Sequence, residues 1–355
     1  MTRWAPVPGP PAGPHYPQGN CAVRSCRVPE FQRPAGRRNA TVDLLLLAVA
    51  VAWGSTYWVT KELVSRDNVL AVLAVRMTLT ALTLMFILVM RRKRIAKSEW
   101  GIGLVLGLLL STVFTFETFG IAATSATNAG LIISLTIVMT PALETVVGRR
   151  KLSRLFYLAA VIAIAGVYFL ATGGAAASFN LGDLLILLAA TARAVHVTGM
   201  HRLSAGRHID SLHLTFVQMA TCGIVFLALS AVSGVRVQDY VPTMDNSAVV
   251  QMIYLVVVCT VFPFFIQMWA VRKTSPTRVS LLLGTEPVWA AAIGVTLAGD
   301  VLGPVGILGV VLVLVGTMWG QRLELGRAPK AQAGEATPGE AGASREGGEI
   351  KDPAL

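Results

Sequence analysis

Between residues 43 and 320 the chain is a succession of apolar runs, each about as long as a membrane is thick, separated by short polar and basic connections. A helix rises about 1.5 Å per residue, so about 20 apolar residues cross a hydrocarbon layer of about 30 Å. Ten runs meet that length: 43–62, 69–90, 101–122, 127–148, 154–172, 182–201, 211–233, 248–270, 277–298 and 302–320. They are continuously apolar and lack the alternating pattern of about ten residues that a barrel strand needs. The expected fold class is therefore an all-α integral membrane protein with ten transmembrane helices. Charged residues make up only 14% of the chain, against about 25% in soluble domains.

A formal net charge of +11 raises nucleic acid as a partner, and the placement of the basic residues argues against it. Arg91, Arg92, Lys93, Arg94 and Lys97 follow the second run, Arg149, Arg150, Lys151 and Arg154 the fourth, Arg202 and Arg207 the sixth, and Arg272, Lys273 and Arg278 the eighth. On the odd-numbered connections only Lys61, Arg66 and Arg236 occur. A nucleic-acid surface gathers its basic residues on one soluble face, whereas cytoplasmic loops of membrane proteins collect Lys and Arg. The asymmetry gives the expectation of a multi-pass protein of the cytoplasmic membrane with both termini in the cytoplasm, and an even number of spans agrees with two termini on one side.

Residues 1–41 are basic and proline-rich, lack the apolar core of a signal peptide, and read as a disordered arm. Residues 321–355, rich in Gly, Ala, Glu and Pro, read as a disordered tail. Cys21 and Cys26 fall in the arm, Cys222 and Cys259 in apolar runs, and none has metal-ligand company. Neither a metal nor a cofactor is expected.

The chain also repeats itself. At an offset of 150, "TSATNAGLIISLTIV" (124–138) falls on "TSPTRVSLLLGTEPV" (274–288), and Gly166 falls on Gly316. At an offset of 140, "DLLLLAVAVA" (43–52) falls on "DLLILLAATA" (183–192). Each unit, 42–175 and 176–320, then holds five helices. An odd number makes the second unit enter the membrane from the opposite side, so the two are inverted repeats, the architecture of alternating-access carriers.

Three stretches carry a family resemblance: "WGSTYWVTK" from Trp53 to Lys61, "LAVRMTLTAL" with Arg76, and "TEPVWAAAIGVTLAGD" with Glu286-Pro287 and Gly299-Asp300. On them, and over roughly residues 42–320, the chain resembles EamA-type members of the drug/metabolite transporter superfamily. The resemblance implies secondary transport, by alternating access, of a small amino-acid-like, polar or amphipathic metabolite, with export as the expected direction. The family's proline in the fourth helix is replaced by Ile137, with Pro141 four residues on, and its closing Gly-Glu by Gly148-Arg149. These departures put the bend of that helix in question.

An ionised side chain inside a membrane costs about 2.5–3.5 kcal/mol on insertion scales, so it is normally paired, faces a cavity or does chemistry. Arg193 and Glu286 lie near the middle of the sixth and ninth runs and are expected to meet or to share one polar cavity. His196 lies one turn from Arg193 on the same face, and Glu286 is the candidate proton acceptor. Arg76 and Glu117 form a second, structural pair in expectation, and Glu144 pairs with the basic cluster after it. Trp53 and Trp289 are deep enough to line a pocket, whereas Trp58 and Trp269 belong to the interfacial belt. Gln218, Gln251, Gln267 and Asn128 are expected to bond neighbouring helices.

Gly54 and Ser55 are small enough to let a neighbouring backbone approach. Lys61 reads either as an anchor reaching for water beside Glu62 or, as the resemblance implies, as a vestibule residue that attracts a carboxylate. Gly316 and Gly320 form one Gly-x3-Gly spacing, open to a homodimer contact or to packing within the chain. Lipid, a small-molecule substrate and protons are the expected partners. A membrane-embedded enzyme or a sensor is the alternative class; the chain has no Walker A sequence, no HExxH, no Gly-x-Ser-x-Gly and no soluble sensory domain.

Overall fold

The structure, a computed structural model, describes residues 40–92, 95–148, 152–173, 180–205, 207, 209–273 and 276–325. The basic arm and nearly all of the tail, with Cys21 and Cys26, lie outside them. Ten helical elements are long and apolar enough to cross a membrane. The uninterrupted ones are the first span Ala40–Leu63, the second Val69–Arg91, the third Lys97–Ala123, the fifth Arg154–Gly173, the sixth Leu181–Ser204, the seventh Ser211–Val232 and the tenth Pro304–Leu325.

The third and tenth spans outrun their apolar cores. The third starts at Lys97 because the Glu99 carboxylate accepts from the Ala96 backbone N–H at 2.8 Å and closes the first turn. The tenth continues to Leu325, so residues 321–325 are helical and not part of a disordered tail. Gln321 holds that extension by donating Nε2–H to the Ser280 carbonyl at 2.7 Å, and Leu323 packs on the core.

Two spans break. The fourth consists of half-helices Ala126–Ile133 and Thr136–Gly148, the ninth of Pro276–Leu283 and Glu286–Thr296. The interruptions, Ser134–Leu135 and Gly284–Thr285, are 150 residues apart, the offset of the repeat. A break in lipid frees carbonyls that must find donors. Ser134 Oγ donates to Leu131 O at 2.6 Å, Thr136 Oγ1 to Ile133 O at 2.8 Å and Thr285 Oγ1 to Leu282 O at 2.7 Å. Hydroxyls thus make the bend in the fourth span without a proline at position 137. The eighth span, Asn246–Val256 and Phe262–Lys273, is joined by a π-helical turn at Val257–Val261.

The inverted repeat is visible in reciprocal contacts. A Cβ on Gly166 of the fifth span would stand 2.5 Å from the Val313 nitrogen, and one on Gly316 of the tenth 2.5 Å from the Ala163 nitrogen. The same glycines face the carbonyls of Gly309 and Ala159 respectively. Each contact is the other's image at an offset of 150, so the fifth and tenth spans cross where the two halves exchange. The glycines of the last span therefore serve packing within the chain, and they lend no support to a dimer contact.

A second reciprocal set ties the halves at opposite ends of the bundle. Asn128 Nδ2 donates to Asp183 Oδ1 at 3.1 Å, and Arg278 forms an ion pair with Asp43. The offsets of 150 and 140 carry 128 onto 278 and 43 onto 183. Inside this frame the first span packs on the eighth and ninth, the third on the sixth and seventh, and the fourth on the sixth and ninth.

Candidate functional site

The polar centre grows from one close approach. Gly54 lets the first span touch the ninth, where a Cβ would come within 2.7 Å of Trp289 Cβ and 2.8 Å of the Ala290 nitrogen. One turn later the buried Tyr57 hydroxyl donates to Glu286 Oε1 at 2.9 Å. Glu286 opens the second half-helix of the ninth span, where the positive end of the helix dipole and free N–H groups favour a carboxylate. Discontinuous helices in transporters present such ends near the membrane midplane.

Arg193, midway along the sixth span, donates Nη2–H to Glu117 Oε2 of the third span at 2.6 Å. Glu117 is buried, yet the Arg193 side chain keeps 31% of its surface exposed. An arginine that deep and that open borders a space inside the bundle. Tyr57, bonded to Glu286, is also within electrostatic range of Glu117 and Arg193.

The pairing expected from the sequence is thus reassorted. Arg193 takes Glu117 and not Glu286, and the Arg76–Glu117 pair is not formed. Arg76 instead lies over the Phe114 ring, 5.8 Å from its centroid. Arg193 and Glu286 do fall in one electrostatic cluster, joined through Tyr57. Depth in the sequence matches Arg193 with Glu286 near the middle and Arg76 with Glu117 nearer the outer side, but rotation about each helix axis decides which of them touch.

His196 shares the face of Arg193 but bonds elsewhere: Nε2 meets Gln218 Oε1 at 2.7 Å, buried between the sixth and seventh spans. It clamps two helices and does not reach Glu286. Lys61 is half-buried and bonded to backbone carbonyls. Its ammonium donates to Thr124 O at 2.7 Å, Ile121 O at 2.9 Å and Ala122 O at 3.3 Å, covering the carbonyls at the negative end of the third span. Trp289 is half-buried beside Gly54 with its indole N–H shielded and without an acceptor, and Trp53 is half-buried one residue from Gly54. Glu144 is half-buried in the fourth span, and its expected partners Arg149, Arg150 and Lys151 lie outside the described residues.

Several residues that shape the site carried no strong sequence signal. Tyr57 sits inside "WGSTYWVTK", where nothing in the sequence singles it out. Asp183 accepts from the Thr124 hydroxyl and from Asn128, and Asp300 accepts from the Thr127 N–H at 2.7 Å, so two acids hold the start of the broken fourth span. At the opposite end Glu99 accepts from the Asp210 N–H and from His213 Nδ1, each at 2.8 Å. The repeated Asp that opens "DLLL" and "DLLI" and the Gly299-Asp300 pair of the resemblance are the hints the sequence offers. Among the described residues no group of three or more His, Cys, Asp or Glu is placed to hold a metal ion, and Cys222 and Cys259 are free and buried.

Two five-helix units of opposite orientation, two matching broken spans and a buried charged centre between them define a multi-pass membrane transporter. The chain belongs to the EamA-like transporter family, whose model matches residues 40–172 and 180–319, one match for each half. It is 23% identical over 297 residues to an uncharacterized transporter of Archaeoglobus fulgidus, covering 83% of this chain and 90% of that protein. It is also 23% identical over 212 residues to the uncharacterized transporter YcxC of Bacillus subtilis, covering 58% of this chain and 67% of the relative. A solved crystal structure superposes with a TM-score of 0.53 at 13% identity, over 84% of this chain and 99% of that one, and so shares the fold.

Proposed function

We propose that the protein is a secondary carrier that exports a small amino-acid-like or amphipathic metabolite by alternating access, with Glu286 as its proton-coupling residue. It works in the cytoplasmic membrane with both termini in the cytoplasm, in line with the basic residues on the even connections. The observation that carries this reading is Glu286 at the interruption of the ninth span. Among the described residues its one hydrogen bond comes from a neutral hydroxyl, and no cation is paired with it. A carboxylate so held can gain or lose a proton without breaking a salt bridge, while Arg193 stays neutralised by Glu117 in both states.

The breaks in the fourth and ninth spans supply the moving parts, since each half-helix can tilt about a point where the helical hydrogen bonds are already interrupted. The test is flux into liposomes with and without a pH gradient, with substrates drawn from ligands that raise the melting temperature. Wild type is expected to respond to the gradient and Glu286→Gln to be folded but unresponsive. Gradient-driven flux at the wild-type rate in Glu286→Gln would remove the coupling role.

A further inference from the structure

Arg76 is buried in the second span. Its side chain is 93% out of reach of solvent, with a relative exposure of 7%. Nε has no hydrogen-bond partner. Among the described residues the guanidinium forms no ion pair, because the acid expected to pair with it, Glu117, is bonded by Arg193 at 2.6 Å. The Phe114 ring beneath it is its one specific contact. A cation–π contact offsets part of the desolvation of a guanidinium but supplies no acceptor to its N–H donors.

Leaving a charged group buried and unpaired in a membrane is costly, so the natural expectation is a partner that arrives from elsewhere. The cluster has two cations, Arg76 and Arg193, and two carboxylates, Glu117 and Glu286. Arg193 and Glu117 neutralise each other, and Glu286 is bonded to Tyr57. Arg76 is within electrostatic range of Glu117, Arg193, Tyr57 and Cys259, which places it at the edge of the same centre. The Ser55 and Tyr254 hydroxyls, 2.8 Å apart, border Cys259 on the side of the eighth span.

We propose that Arg76 is the counter-ion for a carboxylate of the transported solute. The proposal rests on the carrier reading above and names the chemical class of its substrate. A planar guanidinium offers two parallel N–H donors that match the two oxygens of a carboxylate. The Phe114 ring lies against the fork, 5.8 Å from ring centroid to Cζ. When Glu286 holds its proton and Arg193 is neutralised by Glu117, the one positive charge left on Arg76 balances a monoanion, which selects monocarboxylates over phosphate esters carrying two charges.

The test uses the full-length chain and matched probes that differ only in charge: propionate against propionamide, phenylacetate against phenylacetamide, and indole-3-acetate against indole-3-acetamide. Binding is read by calorimetry and by melting temperature. In wild type at least one acid is expected to bind about 10-fold or more tightly than its amide, and Arg76→Gln is expected to erase that preference. Arg76→Gln without ligand is expected to melt at or above the wild-type temperature, because it removes a buried charge that has no partner. If that variant does not yield monodisperse protein, Arg76→Lys carries the test: it keeps the charge without the fork, and its acid preference should fall by at least about threefold.

Equal binding of acids and amides, binding of neither, or an acid preference that survives in Arg76→Gln would overturn the proposal. Liposome flux separates this from the carrier reading. Flux of the amide without preference for the acid keeps the carrier and removes the anion site. Acid binding that depends on Arg76 but yields no flux keeps the site and removes the carrier.

Discussion

The fourth and ninth spans break at the same register and hold different residues at the break. In the fourth, Thr136 opens the second half-helix and turns its hydroxyl back onto its own backbone at Ile133. In the ninth, the equivalent residue is Glu286, which reaches across to Tyr57 of the first span. One backbone device occurs twice, and only the second copy carries a charge. The end ties differ in the same way: Asp183 is met by neutral Asn128, and Asp43 by the cation Arg278. Duplication thus preserved the hinge geometry of each half, while the ionisable chemistry became unequal between them.

The most demanding test sets the two breaks against each other. Glu286→Gln is expected to lower gradient-driven flux by about 100-fold or more while the protein still elutes as a folded species, whereas Thr136→Ala should stay within about threefold of wild type. A similar loss in both would mean that bending and not charge limits transport. Next in size come the glycines of the fifth and tenth spans. Gly166→Leu and Gly316→Leu each force a side chain into the partner backbone, and each should cost about 2–3 kcal/mol, read as an early melting transition or failure to accumulate. Unequal losses would break the reciprocity of that crossing.

The end ties give a smaller contrast. Asp43→Asn removes the ion pair with Arg278 and should destabilise by about 2 kcal/mol, against about 1 kcal/mol for Asp183→Asn, whose amide still accepts from Asn128. Chemical denaturation in mixed micelles reads the difference, and the reverse order would make the neutral tie the stronger. The smallest effects belong to the hydroxyls at the breaks. Ser134→Ala removes the hydroxyl donor of the Leu131 carbonyl, at about 1 kcal/mol, and Thr285→Ala should cost less, because the Leu282 carbonyl keeps the Thr285 backbone N–H at 3.2 Å. Faster amide exchange confined to the mutated span is the expected signature.

Much of this architecture is legible in the sequence. Spans were legible because burying a helix in lipid demands about 20 apolar residues, and that demand is written residue by residue. The offset of 150 announced the inverted repeat, and the reciprocal contacts of Gly166 and Gly316 follow it. The breaks were not legible as breaks, since an apolar run looks the same whether its backbone is continuous or interrupted between Ser134 and Leu135. The early start of the third span was missed because Lys97 and Glu99 look like a loop until the Ala96 N–H finds the Glu99 carboxylate.

Within the site, the sequence by itself determined which charges enter the membrane and at what depth: Arg76, Glu117, Arg193 and Glu286 all appear on inspection. Depth follows from counting along a helix at about 1.5 Å per residue. Partner choice depends on how each helix is rotated and how closely its neighbours approach, and those are properties of packing among residues far apart in the chain. Only the tertiary structure therefore gave Glu117 to Arg193, Glu286 to Tyr57 and Lys61 to the end of the third span, and set Arg76 over Phe114 with no ion pair among the described residues.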